Sequence, residues 1–106
     1  MGGKKFDDFV RFIRNFCKER KVELKEDAKS GPHCGFSLIV KVNGKKIKIE
    51  RFVLRCDKND MKQSTLRRLL AHVKSNADKR VSTTSDQNAV TVLEDLVANL
   101  ERWMKN

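Results

Sequence analysis

Apolar residues near the start of the chain recur at spacings of three and four: Phe6, Phe9, Val10, Ile13, Phe16 and Cys17. That period marks one face of an amphipathic helix over residues 6 to 20. Asp7 and Asp8 fall in its first turn and Arg20 and Lys21 at its end, as the helix dipole favours. The period then changes to two. Val22 and Leu24 open a short strand toward Ala28, and Phe36, Leu38, Val40 and Val42 alternate with polar or smaller neighbours in a second. Between them Ser30-Gly31-Pro32-His33-Cys34-Gly35 is rich in turn formers and predicts a loop. Asn43-Gly44 supplies the two positive φ angles of a tight type I′ hairpin, so a third strand must follow. In that strand Ile47 and Ile49 keep one phase and Phe52, Leu54 and Cys56 the other. A slip of one residue near Glu50-Arg51 predicts a β-bulge.

Helical spacing returns from Met61 through Leu66, Leu69, Leu70 and Val73, with Asp57 available as the cap. Residues 77 to 85 are polar and predict a connector. Thr84, Ser85 and Asp86 offer caps for a last helix over about 86 to 104, lined by Ala89, Val92, Leu93, Leu96, Val97, Leu100, Trp103 and Met104. The expected fold class is α+β: a two-layer α-β-β-β-α domain, with a three-stranded antiparallel sheet and helices on one face, plus a C-terminal helix. The division is a flexible tail at 1–5, a domain at 6–76, a connector at 77–85 and the additional helix at 86–106. The free sheet face would carry Ser37, Ile39, Lys41 and Asn43 and be largely wet.

Charge adds a direction to this picture. The 106 residues hold 24 Lys plus Arg against 14 Asp plus Glu, a formal net charge of +10. The excess is uneven: residues 1–83 carry 22 basic and 10 acidic side chains, net +12, and residues 84–106 carry 2 and 4, net −2. A body so basic suits a polyanion, because releasing counterions from phosphates favours binding without base-specific contacts. The acidic last segment does not belong to such a surface. No run approaches the 18 apolar residues of a membrane span, and the start lacks the apolar stretch of a signal peptide.

Cys17, Cys34 and Cys56 are odd in number and widely spaced. They form no CxxC pair, and His33 and His72 complete no zinc pattern, so no metal is expected. Reduced thiols are then the default, which points to the cytosol or nucleus. No catalytic constellation emerges: there is no Tyr, no GxSxG, no phosphate-binding loop and no HExxH, and the carboxylates are scattered among bases. The chain is not read as an enzyme, and no cofactor is expected. Of the six Phe residues, five sit at apolar-periodic positions and belong to a core rather than to a base-stacking platform, whereas Phe12 lies off the main stripe.

Over about residues 9 to 74 the chain resembles a double-stranded RNA-binding domain (dsRBD). Asn15 through Leu24 is similar to that family's helix-to-strand passage, and Gly31-Pro32-His33 to its Gly-Pro-x-His loop with one residue missing. Phe36 through Lys45 is similar to its second strand and hairpin, and Lys58-Asn59-Asp60-Met61-Lys62 to the Lys-Lys-x-Ala-Lys start of its second helix. The resemblance implies three contact regions on A-form RNA, spanning about 16 base pairs and read by shape. Arg11, Asn15 and Lys18 on helix one would meet 2′-hydroxyls in one minor groove, and His33 would reach the next. Lys58, Asn59 and Lys62, in the first turn of helix two, would contact the phosphates between them. Asn15 stands where the family often has Glu; an amide both donates to and accepts from a hydroxyl. Asn59 stands where it has a second Lys.

The expected function is therefore binding of double-stranded RNA without base specificity. The alternative is a dsRBD-fold module for protein association with weak or no RNA binding. The apolar stripe Leu93, Leu96, Val97, Leu100 and Trp103 on the last helix is the expected surface for a homodimer or protein partner.

Overall fold

In the computed structural model, residues 4–27, 31–83 and 87–105 are described. The elements run β1 (Lys4–Lys5), α1 (Phe6–Glu19), β2 (Glu23–Glu26), β3 (His33–Val42), β4 (Lys45–Arg55), β5 (Asp60–Met61), α2 (Gln63–Thr83) and α3 (Gln87–Lys105). The class is α+β, with three helices and a three-stranded antiparallel sheet in the order β2-β3-β4. The chain forms two compact units, one ending at Lys62 and one beginning at Gln63.

In the first unit α1 follows the sequence pattern closely. Phe9, Ile13, Phe16 and Cys17 are each 3% exposed or less. The helix stops because Lys21 takes a left-handed φ of 56°. The Val22 N–H then donates to the Cys17 carbonyl at 2.9 Å and the Lys21 N–H to that of Lys18 at 3.4 Å. This paired Schellman arrangement satisfies carbonyls the helix end would leave open. Buried Val22 supplies the apolar contact that usually accompanies it.

The hairpin forms at Asn43 (φ 52°) and Gly44 (φ 80°), as their positive angles require. The bulge falls at Ile49, since Leu38 pairs with Glu50 and Ile39 with Lys48. It lies just before the expected Glu50-Arg51 and allows Ile49 and Phe52 both to be buried. The rung Phe36–Phe52 stacks with ring centroids 5.5 Å apart, and Phe9 of α1 meets both rings edge-on at 6.1 and 5.8 Å. Thus α1 covers the Phe36 face of the sheet.

Several expectations change. Lys4 and Lys5 are not tail residues: as β1 they pair antiparallel with Met61 and Asp60 of β5. β3 begins at His33, so His33, Cys34 and Gly35 belong to a strand rather than to the loop. Helix two starts at Gln63, not near Lys58, because Asp60 and Met61 are held in β5. It runs on to Thr83, so residues 77–83 are helical rather than connector. Ala77 is buried one turn after Val73, and no Gly or Pro interrupts the stretch. Thr84, Ser85 and Asp86, the expected caps, lie outside the described residues.

In the second unit α2 and α3 pack on each other. Leu66, Leu69, Val73 and Ala77 of α2 and Ala89, Val90, Val92, Leu93, Leu96 and Leu100 of α3 are buried. A Lys74–Glu101 ion pair at 3.2 Å joins the two helices.

Candidate nucleic-acid interface

Arg11, Asn15 and Lys18 are spaced four and three apart on α1, so they form one stripe, and all three are exposed. Arg11 and Asn15 line a groove of about 520 Å³ between α1 and the β2–β3 edge, together with Arg14, Glu26, Asp27, Cys34, Gly35 and Phe36. Arg11 is engaged by Asp8 at 3.4 Å, and Arg14 forks onto Glu26 with two contacts of 2.9 Å. Exposed pairs of this kind contribute only about 0–1 kcal/mol, so a phosphate can take the guanidinium in exchange. Among the described residues Lys18 has no acidic partner.

The Arg14 guanidinium holds the Glu26 carboxyl below its ordinary value of 4.5. A carboxyl depressed by folding stabilises the fold above its unfolded pKa, and that contribution is lost as pH falls through the folded value. Wild type should therefore lose its advantage over Glu26→Gln as pH drops below about 4.5, in denaturant melts run against pH. Parallel curves for the two proteins would contradict this.

Around Asp57–Lys62 the direct ion pairs of the acids are with Arg55 and Lys5. Asp57 accepts both Nε (3.1 Å) and Nη2 (2.7 Å) of Arg55, which holds its carboxyl below the usual aspartate range. It caps no helix. Asp60 pairs with Lys5, raising the ammonium pKa above its ordinary value. Lys58 and Lys62 are exposed and outside these ion pairs, although the charge of Lys58 also helps to lower the Asp57 carboxyl. They do not share the first turn of α2 as expected. Lys58 precedes β5 and Lys62 follows it, so the N-terminal dipole of α2 is not their common platform.

Asn59 has a structural role that its spacing did not reveal. Lys5, at the N-cap of α1, makes no side-chain cap. Instead the Phe6 N–H donates to the Asn59 carbonyl at 2.6 Å, and the Asp7 N–H to Asn59 Oδ1 at 3.1 Å. Residue 59 thus satisfies two of the four open donors of a helix N-terminus, one of them 52 positions upstream, brought beside it by the β1–β5 pairing. Asn59→Ala should cost about 1 kcal/mol in a denaturant melt, with Asn59→Asp retaining most of the stability because it keeps the acceptor. Equal losses in both variants would contradict the cap.

His33 is exposed at the start of β3 and pairs in register with Arg55. It alternates with Cys34, so its side chain lies on the sheet face away from α1 and outside the groove that holds Arg11 and Asn15. The tie between these regions is covalent: Cys34 and Cys56 form a disulfide, with Cα atoms 5.9 Å apart. The Cys56 N–H also donates to the Pro32 carbonyl at 2.8 Å. This corrects the expectation of three reduced thiols and removes its support for a reducing compartment, since such bonds persist in oxidising surroundings. Cys17 alone is free; burial pushes its thiol up to about 12. The sequence carried no local signal for the bond, because an odd count at wide spacing fixes no pairing.

Gly35 has a steric purpose. A Cβ there would stand 2.7 Å from Asp27 Oδ2 and 3.1 Å from Arg51 Nη2. Its absence lets the Arg51–Asp27 pair, 2.9 Å long, cross the strand. Of the expected partner stripe on α3, Leu93, Leu96 and Leu100 are 1% exposed or less, and only Val97 and Trp103 remain half-buried. Among the described residues no cluster of His, Cys, Asp and Glu is placed to hold a metal ion, and no helix is long and apolar enough to cross a membrane. Compared with protein-family models, with curated proteins and with solved structures, the chain matches none.

Proposed function

We propose that the first unit is the RNA-facing part of a dsRBD-like module that binds double-stranded RNA by shape, stoichiometrically and without catalysis. The observation that carries this reading is the direct pairing of Asp57 with Arg55 and of Asp60 with Lys5, which leaves Lys58 and Lys62 exposed beside these pairs and outside them. The same segment bonds to the N-terminus of α1 through Asn59, next to the exposed stripe Arg11, Asn15 and Lys18. Phosphates would meet the two lysines, and 2′-hydroxyls in the wide minor groove of an A-form duplex would meet the polar stripe. His33 would serve as an outlying contact, and Asn59 acts by capping rather than by touching RNA.

Lys58→Ala with Lys62→Ala should lower affinity for a duplex RNA tenfold or more and reduce the slope of log affinity against log salt by about two, one unit for each lost phosphate contact. Anisotropy titrations at several salt concentrations read both quantities. An unchanged affinity and slope would remove these lysines from the site.

A further inference from the structure

The sheet face away from α1 carries a concentration of positive charge that the RNA reading does not use. On β3 this face bears Lys41, and on β4 it bears Lys46 and Lys48. Lys41 and Lys46 are directly opposite each other on one rung, and Ile39 and Lys48 share the adjoining rung. All three lysines are exposed. Like charges on facing positions of a rung destabilise the sheet, so this arrangement has a cost in the free protein. Lys46 pairs at 3.2 Å with Glu23, on β2 beside Ile39, an exposed contact that a phosphate can displace. Further along the same face Arg51 pairs with Asp27, and the three lysines gather toward the hairpin.

Lysines on an edge strand commonly guard it against pairing with other chains. That explanation reaches Lys46 and Lys48 on β4, and also Lys41, since the pairing of β2 with β3 ends at Ile39, but it does not require two lysines to face each other on one rung at a cost to the sheet. The face also lacks aromatic side chains, since Phe36 and Phe52 point to the α1 side. It therefore offers neither the stacking platform of a single-strand binder nor the aromatic anchor typical of a protein interface. Charge complementarity without stacking fits a sugar-phosphate backbone.

We infer that Lys41, Lys46 and Lys48 form a second phosphate-backbone surface on the open sheet face, which binds nucleic-acid duplexes regardless of helical form. It goes beyond the A-form reading, because B-form DNA presents the same ligand to it.

The test uses the full chain and a 20-base-pair DNA duplex, with RNA of the same sequence in parallel, by anisotropy at several salt concentrations. Wild type is expected to bind the DNA at low salt. Lys41→Gln with Lys46→Gln and Lys48→Gln should weaken that binding tenfold or more and lower the salt slope by about three. Lys41→Glu alone creates an ion pair with Lys46 across the rung, so it should melt no lower than wild type and still bind DNA more weakly. No DNA binding by wild type, or unchanged affinity and slope in both variants, overturns the inference while leaving an RNA-selective site intact. DNA and RNA bound equally, and both weakened by the triple substitution, sustains the inference and overturns the A-form reading instead.

Discussion

Phe9→Ala is expected to destabilise the first unit by about 3–5 kcal/mol, the usual cost of emptying a buried aromatic site. Phe9 is 1% exposed, and its ring meets those of Phe36 and Phe52 and lies 6.3 Å from that of Phe12. It is the point where α1 is fastened to the sheet, so the cavity would open between two elements rather than inside one. A domain with a total stability of about 5–15 kcal/mol would lose a large part of it. Phe12, half-buried and off the main stripe, serves as the comparison: Phe12→Ala should cost markedly less. Denaturant melts in which the two variants fall together within about 1 kcal/mol of wild type would contradict this packing.

Breaking the Cys34–Cys56 bond is expected to cost about 3 kcal/mol. The two residues are 22 apart, and closing a loop of that length in the unfolded chain removes roughly that much conformational entropy. Reduction consumes two thiols of an added dithiol such as dithiothreitol and leaves two protein thiols and an oxidised reductant. Melting with and without reductant should therefore separate by more than 10 °C, at about 4–8 °C for each kcal/mol. Unfolded protein without reductant should titrate one thiol, that of Cys17, and three after reduction. Native protein should react slowly, because Cys17 is buried and its thiol is held up at about 12. Three thiols before reduction would show that the bond is absent. The bond lies one residue from His33 and two from Lys58, so its loss should also weaken duplex binding.

What the sequence disclosed followed the range of the interactions. Helix α1, the Asn43-Gly44 turn and the alternation of β3 are encoded within a few residues, and the structure reproduces them. The phase slip in β4 was visible because Ile49 and Phe52 cannot both be buried on one regular strand. Contacts between distant segments were hidden. Nothing near Asn59 says that it caps a helix starting at Phe6, nor do Lys4 and Lys5 show that they pair with Asp60 and Met61. That pairing is what delays α2 to Gln63 and separates Lys58 from Lys62 by a strand. The polar composition of residues 77–83 concealed a helical continuation, because exposed helix positions tolerate polar side chains. Of the expected contact residues, Arg11, Asn15, Lys18, Lys58 and Lys62 are exposed on one unit, Asn59 is occupied as a cap, and His33 lies on the other sheet face.

Equilibrium binding of the full chain to a 20-base-pair RNA duplex and to DNA of the same sequence tests the central claim most directly. Because 2′-hydroxyls and A-form groove spacing belong to RNA alone, the account predicts at least tenfold tighter binding to RNA, with the preference surviving changes of base sequence. DNA bound as tightly as RNA, or no RNA binding at all, would contradict it, the second outcome favouring the protein-association reading.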